Sequence, residues 1–169
     1  YPKPEYWHDL LQLARNEKGL NDEQAMDIYR LRFALGDLKT DSDYSEMAQE
    51  ALVAGYPAEA KMALDKATAA KLLNGERAGR LVKATNDAVT ANTAIQAELQ
   101  KKADPNSSVK LGLIYWTFGK NKEAEDAIRA GMKGKLADPE GAKMALGHVL
   151  FSQGKKAEAV SAFDSVARN

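Results

Sequence analysis

Two histidines, His8 and His148, and no cysteine are all the chain offers of the side chains that most often ligate metals or move protons near neutral pH. Two are too few for a histidine-rich metal site. His8 and Asp9 are adjacent, and adjacent positions on a helix do not face each other, so they make a poor base and orienter. Glu123, Glu125 and Asp126 stand where a helix should start, and there negative charge complements the helix dipole. No glycine-rich phosphate loop, nucleophile elbow or HExxH segment occurs. A hydrolase reading therefore needs a pocket that brings His8 or His148 within hydrogen-bonding distance of a carboxylate. The expectation is a non-enzymatic protein with no catalytic residue, no metal and no cofactor.

The elements that would position any site are helices. The chain has 169 residues, 44% apolar and 28% charged, enough for one ordinary core and too apolar for a disordered segment. Alanine occurs 29 times, and Pro2, Pro4, Pro57, Pro105 and Pro139 all fall at apparent segment boundaries. Alanine loses no side-chain entropy in a helix, whereas proline is tolerated only in its first turn. Nothing alternates with a period of two, so the fold class expected is all-α. With 24 basic and 24 acidic residues the whole chain has no dominant sign, which argues against nucleic acid or an anionic surface as partner. The longest apolar stretches, such as 111–118, are far short of the roughly 18 to 20 residues that span a bilayer, so membrane insertion is not expected. The start at Tyr1, without Met, reads as a processed product or a cut-out domain.

One pattern recurs. Leu111-Gly112 followed by Gly119 and Ala124 is matched 35 residues later by Leu146-Gly147, Gly154 and Ala159. Ile128 and Phe163 each lie four residues beyond the alanine, on the same helix face. Met47, Gly55, Ala60 and Leu64 form a third unit, and Leu11, Gly19, Ala25 and Tyr29 a weaker fourth with one residue inserted before Asn21. Each unit reads as a helix hairpin. Its first helix ends at a glycine able to adopt the left-handed conformation, and its second carries a small residue where the backbones approach. Gly112 and Gly147 fall inside predicted helices, where glycine costs about 1 kcal/mol relative to alanine, so close packing must offset that cost.

These residues resemble the tetratricopeptide repeat family. The motif is the leucine-glycine pair, an aromatic or large residue three positions later (Tyr115, Leu150), the turn glycine, then alanine and a large apolar residue four apart. The match covers Leu111 to Ile128 and Leu146 to Phe163 best, then Met47 to Leu64, then Trp7 to Tyr29. Departures include a proline displaced to Pro139 by the connection from Gly131 to Asp138, and the absence of glycine at Gln12 and Ala48. The segments Pro4 to Leu11 and Gly55 to Ala60 also look like repeat domains of exported bacterial proteins, which implies a periplasmic or secreted location and leaves a cytoplasmic one open.

Between the units ending at Leu64 and starting at Leu111 the register breaks, since Ala60 to Ala124 is 64 residues. Residues 76–102 hold no proline, and Leu81, Ala84, Ala88, Ala91, Ile95 and Leu99 form a stripe at three-and-four spacing. One long helix of about 40 Å is expected, projecting, bent near Asn86 to Thr90, or packed across the repeats. The expected organisation is a single tetratricopeptide-like domain, 1–169, within a longer chain. It comprises an irregular hairpin 4–36, a repeat 43–71, the long helix 76–102, and repeats 105–134 and 139–168.

The resemblance implies a superhelix of stacked hairpins whose first helices line a concave face, through positions three, six, ten and thirteen before each turn glycine. Here those are Trp116, Leu113, Val109 and Asn106 in one unit, and Phe151, His148, Met144 and Gly141 in the next. In the earlier unit they are Leu52, Gln49, Ser45 and Ser42. Asn106, Val109, Leu113, Trp116, Met144, His148 and Phe151 are thus the candidate partner-binding residues. Either the long helix or the bend of the superhelix covers Trp116 and Phe151 as core, or a partner polypeptide docks on them. The lysines, arginines and asparagines with which some relatives grip a peptide carboxylate are replaced by Val109, Leu113, Met144 and His148, so no such clamp is expected. The functional expectation is a scaffold that binds a protein or peptide. The alternative is an architectural module spacing or oligomerising a larger exported protein, and the apolar Ala159, Val160, Phe163 and Val166 of the last helix fit pairing with another copy.

Overall fold

The computed structural model describes residues 3–102 and 104–166, and among them nine α-helices and no strand. The chain divides into two compact units, residues 1–90 and 91–169.

The first unit holds α1 (Pro4–Arg15), α2 (Asp22–Ala34), α3 (Asp41–Val53), α4 (Pro57–Ala69) and most of α5 (Gly75–Leu99). Helices α1 to α4 pack as consecutive neighbours. Their starts are written in the sequence. Asn21 accepts the Gln24 N–H while Gln24 accepts the Asn21 N–H, and Thr40 and Asp43 form the same reciprocal cap on α3. Met26, Tyr29, Met47, Ala48, Ala51, Ala60, Ala63 and Leu64 fill the core.

A charged residue lies among them. Arg32 is 1% exposed, its Nε 2.8 Å from Asp37 and its Nη2 2.8 Å from Asp43, with Tyr29 beneath the guanidinium. Burial raises the Asp43 carboxyl, but hydrogen bonds from the Lys39 N–H, the Thr40 hydroxyl and N–H, and Arg32 outweigh it and hold the group at about 2. A second cluster places Arg30 two-pronged on Glu59 and against Asp27, over the Tyr56 ring. These pairs tie α2 to α3 and α4 through bonds that burial makes costly to break.

Helix α5 runs across the boundary between the units and belongs to no hairpin. Its buried residues are Ala78, Thr85, Asn92 and Leu99, spaced by sevens; of the expected stripe Leu99 is buried and Leu81 and Ala88 are half-buried, while Ala84, Ala91 and Ile95 are exposed. Seven residues are nearly two helical turns, so the set does share one face. Two of its members are polar, and a search for apolar periodicity passes over them.

The second unit holds the end of α5, α6 (Pro105–Thr117), α7 (Asn121–Gly131), α8 (Pro139–Ser152) and α9 (Lys156–Asp164). Asp104 and Asp138 cap α6 and α8, each with proline in the first turn. Both first helices end alike. The Lys120 N–H donates to the Tyr115 carbonyl and the Lys155 N–H to the Leu150 carbonyl, around Gly119 at φ +73° and Gly154 at φ +76°. The inner glycines also repeat their contacts. A Cβ on Gly112 would stand 2.5 Å from Ile128 Cγ1, and one on Gly147 2.3 Å from the Phe163 ring. Close helix approach is therefore what offsets the propensity cost. Ala124, Ile128, Ala145, Leu146, Val149, Leu150 and Ala159 form one core. At its edge Glu125 receives Lys155, Gln153 and Arg129 at 2.7, 3.0 and 2.8 Å, fastening α7 to the α8–α9 turn.

Candidate functional site

The seven candidate residues all lie in the second unit, on α6 and α8, and the structure gives them unequal roles. Asn106 is structurally engaged, since its Oδ1 accepts the Ala137 N–H at 2.9 Å and anchors the α7–α8 connection. Val109 packs where Gly131 lacks a side chain, and Leu113 packs on the unit's core. Met144 is half-buried.

The aromatic end is more elaborate. Trp116 and His148 stack with ring centroids 5.3 Å apart and 17° between planes, and Phe163 of α9 meets the imidazole edge-on at 5.4 Å. The Trp116 Nε1–H donates to Ser152 Oγ at 2.9 Å, and the Ser152 hydroxyl donates to the His148 carbonyl at 2.9 Å. The bond satisfies the indole N–H of a half-buried ring and holds it in one orientation. Phe151 is 62% exposed, so it is not covered as core. The face thus combines an oriented, half-buried aromatic stack with a phenyl ring open to solvent.

Phe163 and Ser152 were not among the candidates. Phe163 could have been found, because its position 35 residues after Ile128 places it against α8; Ser152 carries no such signal.

The catalytic alternative meets part of its requirement. His8 Nδ1 lies 2.7 Å from Asp37 Oδ1, yet the imidazole is 48% exposed and the other Asp37 oxygen is held by Arg32. Asp37 stays below the usual carboxylate range although burial opposes this, because Arg32 and His8 both bond to it. Among the described residues His8 hydrogen-bonds to Asp37 and to no side-chain hydroxyl. No three histidine or carboxylate side chains among the described residues gather as a metal would require, and no described helix is long and apolar enough to cross a membrane.

Charge is divided where the whole-chain sum hides it. Residues 1–90 carry 15 acidic and 12 basic side chains, and residues 91–169 carry 9 and 12. The candidate site belongs to the basic unit.

No family profile matches the chain. No curated protein matches it either. Among solved structures, the crystal structure of MamA protein is similar at a TM-score of 0.39 and 20% identity, over 95% of this chain and 88% of that one. So distant a likeness carries no weight on function, and the hairpins of each unit speak for the fold by themselves.

Proposed function

We propose that the protein is a non-enzymatic interaction scaffold that binds a polypeptide segment along the first helices of its hairpins, on α6 and α8. The observation that carries this reading is the solvent-exposed Phe151, three residues along α8 from the His148 that stacks on Trp116. An exposed aromatic next to an oriented one is the kind of anchor on which polypeptide interfaces concentrate their energy. Asn106, Val109, Leu113 and Met144 continue the face toward the start of both helices. The test is peptide display selection against the intact chain and against Phe151→Ser. Peptide families enriched on the parent and lost on the variant support the reading; identical enrichment on both removes it.

The architectural reading is favoured by a different observation. Tyr6, Leu10 and Leu13 form an exposed stripe at four-and-three spacing on α1, and Val160 is exposed on α9. Sedimentation velocity over a wide concentration range decides it, because self-association abolished by Leu10→Ser with Leu13→Ser is its expected signature.

A further inference from the structure

The candidate groove has two unlike ends, aromatic where α6 and α8 finish and basic where α6 starts. Segment 131–137 folds onto the first turn of α6. A Cβ on Gly134 would stand 2.4 Å from the Pro105 ring, one on Gly131 2.5 Å from the Pro105 carbonyl oxygen, and the Ala137 N–H reaches Asn106. That packing carries Lys133 and Lys135 to the start of α6, where Lys101 and Lys102 already precede it. Lys110, one turn beyond Asn106 and one before Leu113, stands on the same side of α6 as both. All five lysines are exposed, and none has an ion pair among the described residues. The carboxylates nearby, Asp104 and Asp138, are engaged as helix caps by the Ser107 and Gly141 N–H groups. Two first helices also direct their positive dipole ends to this region.

We infer that the segment bound by this groove is acidic as well as apolar: its aromatic or aliphatic side chain sits on Phe151 and Trp116, and its Asp or Glu side chains meet the five lysines around the start of α6. The inference rests on the groove being a polypeptide site and adds the chemistry of the occupant. Charge complementarity selects the partner. Five exposed cations, of which Lys102 acts through its charge on Asp104, beside carboxylates already engaged as caps favour side-chain anions, and steer them at long range more than they add affinity. A polypeptide fits better than a nucleic acid because the aliphatic Val109, Leu113 and Met144 lie between the lysines and the aromatic end, and one face of Trp116 is already covered by His148, so no row of open rings is offered on which successive bases could stack.

The test uses the intact chain and a fluorescein-labelled peptide of repeated Phe-Glu-Leu-Glu with an amidated C-terminus, followed by anisotropy at low and high salt. Counterparts carry Gln or Lys in place of Glu. The Glu peptide should bind, weaken with salt, and lose about tenfold in affinity with Lys110→Glu, Lys133→Glu and Lys135→Glu combined. Circular dichroism checks that the triple variant keeps its helices. Equal binding of the Glu and Gln peptides, or indifference to the triple reversal, overturns the acidic occupant while leaving the groove in place. Indifference of all peptides to Phe151→Ser removes the groove itself. No binding of the Glu peptide, or binding of oligouridine at the lysines without any need for Phe151, overturns the inference as well.

Discussion

Gly112 of α6 and Ile128 of α7 touch so closely that a methyl group on the glycine would stand 2.5 Å from Ile128 Cγ1 and 2.9 Å from the Ala124 carbonyl oxygen. Alanine at that position gains about 1 kcal/mol of helix propensity and loses more, because a backbone oxygen cannot rotate away. Gly112→Ala should therefore cost about 2 kcal/mol net in urea denaturation. Gly147→Ala should cost less, since the ring of Phe163 is the far end of a side chain and can shift. The reverse order of the two would show that the hairpins are not packed as described.

Arg32 supplies the second prediction. Its removal strands Asp37 and Asp43 around a buried site, so Arg32→Ala should lose roughly 3 to 5 kcal/mol. Arg32→Lys should recover little, because one ammonium cannot span two carboxylates that a guanidinium bonds through separate nitrogens. Hydrogen exchange should place the loss in residues 1–90.

Acid should loosen the second unit through Glu125. The Lys155 hydrogen bond lowers its carboxyl most; burial opposes, and Arg129 and Gln153 add to the lowering, leaving it at about 2 against an ordinary 4.5. A depressed folded value means that the stabilisation is full above pH 4.5 and is lost as pH falls from there toward 2. Asp43 behaves likewise from 3.8 downward in the first unit. Thermal melts from neutral to about pH 3 should show this decline, and Glu125→Gln should flatten its own share of it.

Recognition and stability should separate at the aromatic face. Phe151→Ser touches an exposed ring and should change stability by less than about 0.5 kcal/mol. Trp116→Ala removes a stack, a hydrogen bond and packing on the core, and should cost about 2 kcal/mol or more. Equal effects in calorimetry would mean that Phe151 is not the free edge of the surface.

What the sequence made legible was local and repeated. The spacing of Gly112, Gly119, Ala124 and Ile128, met again at Gly147, Gly154, Ala159 and Phe163, announces two hairpins because each position has a steric duty. Long-range arrangements were not legible. Arginine reads as surface in any hydropathy pattern, so nothing marked Arg32 as core, and its partners Asp37 and Asp43 are identified only once α2 and α3 have packed. Of the stripe expected on α5, Leu99 is fully buried and the rest only partly or not at all, because the polar Thr85 and Asn92 share the buried face with Ala78 and Leu99. The lysine cluster is invisible to composition for another reason. It is assembled by a connection folding back on α6, while a sum over the whole chain cancels it.

The chain has two tryptophans, and they fall one to each compact unit: Trp7 on α1 and Trp116 on α6. The molecule therefore has a built-in optical reporter for each half. With Trp7→Phe, tryptophan emission, excited at the red edge where the six tyrosines do not absorb, comes from the indole stacked on His148 alone. Occupancy of the groove, or melting of that half, becomes visible without any attached dye.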